Sequence, residues 1–205
     1  IYSLLIISSR ILYDLDFKNK VPSILKTLLI INLMMWIKSE GLIYSCILTI
    51  ILLLSKYLLL KEKLLITIFF ALIIFIKISV YSYYGFEVNS QPYSINLSKL
   101  TDINELIYKI TNMTMYIGYY SIQNIFFLLG AILLIYLNID KKNKIKLSVF
   151  NIYFIFTSLF VFSAYIFRDM EIVYALRTTA ERIIFTLSSF YIYLTIKYLN
   201  NQLKN

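Results

Sequence analysis

The chain has 205 residues, 60% of them apolar, with four glycines, two prolines and a mean hydropathy of +0.76, a composition that excludes an ordinary soluble domain. The formal charge of +9 comes from lysines and arginines scattered through short connections, so it marks membrane topology and excludes a nucleic-acid face. One cysteine (Cys46) and no histidine exclude a disulfide framework, a thiolate metal site and imidazole acid–base chemistry; no metal or cofactor is expected, and carboxylates, Lys, Arg and Tyr are the groups left to carry chemistry.

A membrane-crossing helix needs about 20 mostly apolar residues. The chain offers six such runs and a partial one at its start, all continuously apolar and not alternating, which predicts an all-α polytopic bundle and not a barrel. The whole chain, 1–205, reads as a single transmembrane domain. The partial span Ile1 to Tyr13 has no basic leader and no small-residue cleavage site, so it is not a signal peptide; entry at mid-span predicts the C-terminal part of a longer protein. Asp14 to Lys20 is a polar connection, and Pro22 suits the first turn of the next helix, where its missing N–H is harmless.

A span from about Ser23 to Ile37 leads into Trp36-Ile37-Lys38-Ser39-Glu40-Gly41-Leu42. Here Gly41 is expected to break the helix, and Lys38 and Glu40 are either interfacial or functional, because a charge near a helix centre costs about 2.5–3.5 kcal/mol on insertion scales. Spans follow over Leu42–Leu54 and Leu64–Tyr81, the second carrying Lys77, whose stem is long enough to snorkel to the surface. Residues 83–116 form a longer, more polar loop. Within it Thr101 or Asp102 can cap a helix, and Ile103, Leu106, Ile107, Ile110 and Met113 recur at helical spacing, which predicts an amphipathic helix lying on the membrane or packed on neighbouring spans. Asn96-Leu97-Ser98 and Asn112-Met113-Thr114 match a glycosylation acceptor, a three-residue pattern frequent by chance. Further spans are expected over Tyr119–Leu137, Leu147–Phe167 and Ile183–Leu199, with a charge-dense connection from Arg168 to Arg182 before the last.

If the spans alternate, one face holds thirteen basic residues and the other seven, which makes the first cytoplasmic. The Lys38–Gly41 turn, the 83–116 loop and the Arg168–Arg182 connection then share the outer face with seven of the eleven acids. Arginine and lysine beside carboxylates suit a phosphorylated, hydroxyl-rich substrate.

Two stretches resemble one family. Lys38-Ser39-Glu40-Gly41-Leu42 is similar to the Lys-Asn-Glu-Gly-Leu stretch of the GT-C superfamily of polytopic, lipid-dependent glycosyltransferases, which includes protein mannosyltransferases and aminoarabinose transferases. Asp169-Met170-Glu171, followed by Thr178-Thr179-Ala180-Glu181-Arg182, resembles the Asp-Leu-Glu-Trp-His-Leu, Thr-Ser-x-Asp-Arg ending of bacterial members. Thr179 replaces the usual Ser, Glu181 the usual Asp, and Tyr174-Ala175 stand where Trp-His is expected. The resemblance implies an enzyme of the cell envelope, in a bacterial inner membrane, that moves a sugar from a polyprenyl-phosphate donor to a lipid-linked or protein acceptor on the non-cytoplasmic face. In the family the catalytic acid lies in a first external loop that this chain lacks, so no catalytic residue is assigned. Arg177 and Arg182 are the candidates for the donor phosphate, since guanidinium forks suit phosphate, with Lys38, Glu40 and Glu181 as supporting binding residues. The expected partners are the lipid-linked sugar and membrane lipids. A transporter or flippase of such a lipid, a polysaccharide polymerase or ligase, and a scaffold whose charges only end helices are the competing readings.

Overall fold

The computed structural model describes residues 1–13, 20–37, 39–55, 58–85, 102–139, 144–167 and 171–202. Among them are eight helices and no strand: α1 (Tyr2–Tyr13), α2 (Lys20–Ile37), α3 (Ser39–Leu54), α4 (Leu60–Tyr83), α5 (Ile103–Gln123), α6 (Ile125–Ile139), α7 (Lys144–Ile166) and α8 (Ile172–Gln202). The helices fall into two compact units, Ser3–Val88 and Asn89–Asn205.

Every apolar run of the sequence is helical, but the expected six full spans are not found. Two helices, α4 and the Val149–Ile166 stretch of α7, are long and apolar enough to cross a membrane, or three if the bent pair α5 and α6 is one span. Length is the reason for α2 and α3. Their apolar stretches Val21–Ile37 and Glu40–Leu54 rise about 1.5 Å per residue and reach about 26 and 22 Å, short of the roughly 30 Å hydrocarbon core.

In the first unit α2 and α3 form a hairpin with Lys38 alone between them. Gly41 does not break a helix. It lies in the first turn of α3, and a Cβ built on it would overlap the Met34 carbonyl of α2; glycine is needed because the two backbones touch there. Ser45 follows one turn later, and its hydroxyl reaches Ile31 O across the hairpin (2.9 Å) as well as Gly41 O in its own helix (2.7 Å). Lys77 does not snorkel away. Its Nζ donates to Met35 O of α2 (2.5 Å), one of the carbonyls that a helix C-terminus leaves without an intrahelical partner.

In the second unit Asp102 is the cap of α5, its carboxylate accepting from Asn104 N (3.0 Å) and Glu105 N (3.2 Å). The helix runs on past residue 116 to Gln123, so the expected span from Tyr119 is divided. Asn124 makes the division. Its N–H donates to Tyr120 O at the end of α5, and its Oδ1 accepts from Phe127 N (3.0 Å) at the start of α6. One residue thus finishes one helix and caps the next, and the two meet at 98°. The Asn112 acceptor triplet is inside α5, with the Asn112 amide on Tyr108 O (2.8 Å) and Met113 fully buried; the Asn96 triplet lies outside the described residues.

Helices α6, α7 and α8 pack in alternating directions. A reciprocal amide pair, Asn138 with Asn151 (2.9 and 2.8 Å), joins α6 to α7, and the Tyr153 ring stacks on Phe190 of α8 with centroids 3.8 Å apart. Gly130 faces Tyr191, whose Cβ occupies the space where a side chain on residue 130 would start. Both units place large apolar side chains outward. Leu64, Leu65, Ile68, Leu72 and Phe75 of α4 are exposed, whereas Ser8, Ser9, Thr27, Ser45, Thr49, Ser188 and Thr195 are buried. The buried hydroxyls bond to carbonyls one turn back in their own helices, as Thr27 does to Ser23 O (2.9 Å) and Thr49 to Ser45 O (2.8 Å), so they need no water. Outward apolar side chains over an interior whose serine and threonine hydroxyls are satisfied within their own helices suit helices surrounded by lipid.

Candidate functional site

Glu105, Lys109, Glu171 and Arg177 of the second unit lie where α5, the C-terminus of α7 and the start of α8 meet. The sequence builds this end through one stripe of α5. Lys109, Met113, Tyr116 and Tyr120 recur at i, i+4, i+7 and i+11, which places them on one side of a helix. Met113 is fully buried and Lys109 is 4% exposed, while Ile103, Ile107 and Ile110 on the opposite side are exposed. The helix is therefore amphipathic as expected, but its isoleucines point out and its lysine stripe points in.

A buried lysine needs partners, because an uncompensated charge in a low-dielectric interior is costly. Lys109 Nζ lies 3.2 Å from Glu105 Oε1 and donates to Ile166 O (3.0 Å), the last residue of α7. That carbonyl has no intrahelical donor and sits at the negative end of the helix dipole, where a cation is favoured. Lys109 thus fixes α5 against the end of α7. A second tie joins α7 to α8: the Thr179 hydroxyl donates to Ala175 O (2.6 Å), so the Tyr165 hydroxyl is the donor in its 2.6 Å bond to Thr179 Oγ1.

Glu171 starts α8. Its Oε2 accepts from Tyr174 N (3.1 Å) and its backbone oxygen from Ala175 N (3.1 Å), so a carboxylate occupies the positive end of the helix. Much of the charge-dense stretch expected to be a connection is therefore helical: Arg177, Glu181 and Arg182 all lie within α8 and all are exposed. Arg177 and Glu181 are four residues apart and share a side; Arg182 is turned about 100° from Glu181. Arg177 Nε donates to Tyr116 OH on α5 (3.0 Å). That hydrogen bond and the pull of the Tyr116 oxygen, with smaller contributions from Glu171 and Tyr120, raise the guanidinium pKa above its ordinary value, so Arg177 is charged at every accessible pH.

Of the five candidate site residues, α8 holds three. Glu40 is half-buried in the first turn of α3 in the other unit, where a carboxylate suits the helix N-terminus, and Lys38 lies outside the described residues. Tyr116 and Lys109 were not singled out as site residues from sequence. Their signal was the Lys-Met-Tyr-Tyr stripe, which is masked by the more obvious isoleucine periodicity on the opposite face. Thr179, which stands in the resembling motif where the family has Ser, is engaged with Tyr165 and holds two helices together. Among the described residues no group of three or more Cys, Asp or Glu side chains could hold a metal ion. No family model, no curated protein and no solved structure matches the chain.

Proposed function

We propose that the chain is a membrane part of a polyprenyl-phosphate-sugar-dependent glycosyltransferase, and that the exposed face of α8 binds the phosphate of its lipid donor. The observation that carries this reading is Arg177: a permanently charged, exposed guanidinium held in place by Tyr116 on a bundle that also exposes many large apolar side chains. A lipid with a phosphate head and a hydrocarbon tail fits that combination, since the tail can run along the exposed apolar flank while the head meets the fork. Glu181, on the same side as Arg177, offers a carboxylate to sugar hydroxyls, and Arg182, turned about 140° from Arg177, adds a second cation beside that face. In this reading the shorter apolar helices α1, α2, α3 and α6, accommodated by local thinning of the bilayer, join the apolar half of α8 to complete a membrane domain of six spans and a partial one, in a bacterial inner membrane with α8's first turns on the outer face. The acceptor hydroxyl attacks the sugar's anomeric carbon as the bond to the polyprenyl phosphate oxygen breaks, and its proton passes to a base that is not assigned to any residue named above.

One observation favours a second reading. Discontinuous helices line substrate paths in transporters, and α5 and α6 meet at 98°; a flippase for the same lipid would use the same phosphate contact. The two readings separate when the full-length protein is reconstituted in liposomes with a sugar-labelled polyprenyl phosphate. A glycosyltransferase releases polyprenyl phosphate and moves the label to acceptor, and Arg177→Ala lowers turnover about ten- to hundredfold, the worth of a charge-assisted hydrogen bond of about 1.5–3 kcal/mol. Movement of intact donor across the bilayer without consumption supports the flippase, and full activity of the Ala variant contradicts both.

A further inference from the structure

We infer that Tyr116 is a positioning residue for Arg177, turning the guanidinium so that its two terminal nitrogens face a lipid phosphate end-on. The inference rests on the phosphate-binding reading of α8 and names the residue on which that binding depends. A guanidinium has five N–H donors in a rigid plane, and its edges can each grip two oxygens. The edge that includes Nε is engaged here, because Nε donates to Tyr116 OH at 3.0 Å. The edge made by the two terminal nitrogens is the one left whole among the described residues. Without Tyr116, a long side chain on an exposed helix face samples many rotamers, and ordering it costs binding energy.

Tyr116 can serve as a fixed post because its own helix is tied down. It lies two turns beyond Lys109 on the same stripe; Lys109 is bound to the last carbonyl of α7, and Met113 between them is fully buried. Glu171, just before α8, gives one carboxylate oxygen to the Tyr174 N–H, and among the described residues no ion pair joins Arg177 to Glu181, the acid nearest it in the α8 sequence. The site is thus a cation oriented from behind by a neutral hydroxyl, which leaves its charge for an anion.

The test is a double-mutant cycle on the full-length protein in phosphatidylcholine nanodiscs, with polyprenyl monophosphate as the titrated probe and the thermal midpoint recorded for each variant. Tyr116→Phe keeps the ring and removes only the hydroxyl. The expected result is about two- to tenfold weaker binding for Tyr116→Phe, a larger loss for Arg177→Ala, and no further loss when both are combined, with unchanged thermal midpoints. Additive losses, or wild-type binding by Tyr116→Phe while Arg177→Ala binds weakly, would overturn the positioning role and leave the phosphate-binding reading standing. Wild-type binding by Arg177→Ala sinks both. Inorganic phosphate and phosphatidylglycerol are titrated in parallel: competition by either at the affinity of the polyprenyl probe would show that any phosphate is taken and overturn the assignment to the prenyl lipid.

Discussion

A side chain added to Gly41 would run into the Met34 carbonyl, whereas one added to Gly118 on α5 would meet nothing within 4 Å. These two glycines, identical in sequence terms, have opposite meanings. Gly41→Ala forces the α2–α3 hairpin apart and is expected to destabilise by about 1–3 kcal/mol, the usual cost of overpacking. Gly118→Ala removes backbone freedom from an open helical position and is expected to stabilise by about 0.5–1 kcal/mol. Denaturant unfolding in detergent measures both, and equal effects would contradict the packing described. The same residue shows what a sequence can disclose at this scale. A glycine between apolar runs reads as a helix breaker because sequence displays only local preference; the close approach of Met34 is a fact about another helix. Arg177 is the converse case. Its charge and its suitability for phosphate were legible, but its Tyr116 partner, 61 residues earlier in the chain, was not.

At the scale of elements, Asn124 separates two readings of one apolar stretch. Tyr119 to Leu137 looks like a continuous span, and no proline or glycine near residue 124 announces a break. The break comes from a side chain able to take over the work of the backbone: Asn124 closes α5 through its N–H and opens α6 through its Oδ1, an alternative that Asn offers more readily than apolar residues do. Asn124→Ala leaves the first N–H groups of α6 short of an acceptor and is expected to cost about 0.5–2 kcal/mol. In lipid an unsatisfied amide is harder to tolerate than in water, so the loss should be larger in nanodiscs than in mild detergent. An Ala variant as stable as wild type would show that the corner is set by packing and not by the cap. Lysines perform a related task in both units, Lys77 on Met35 O and Lys109 on Ile166 O. Each was readable as a charge within or beside an apolar stretch, but a helix end to receive it is visible only once the helices are placed.

For the whole molecule, helix content was the most legible property, because six long apolar runs and a partial one leave few other conformations. The number of crossings was less so: hydropathy marks an apolar run, but α2, α3 and α6 are each shorter than the bilayer core demands. The inverted distribution of side chains, with Ile103, Ile107 and Ile110 outward and Lys109 inward, was hidden for a different reason. Periodicity identifies two faces of a helix but not which one its neighbours cover, and in lipid the apolar face has no obligation to be buried. That inversion leaves the cations of α8 beside an apolar outer surface, the arrangement from which a lipid-phosphate site is proposed. Photo-crosslinking of the full-length protein in native membranes with a polyprenyl phosphate carrying a photoreactive group next to its phosphate tests this most directly. A lipid-phosphate site on α8 predicts label on the peptides containing Tyr116 and Arg177, lost in Arg177→Ala; label confined to other peptides, or undiminished in that variant, would contradict it.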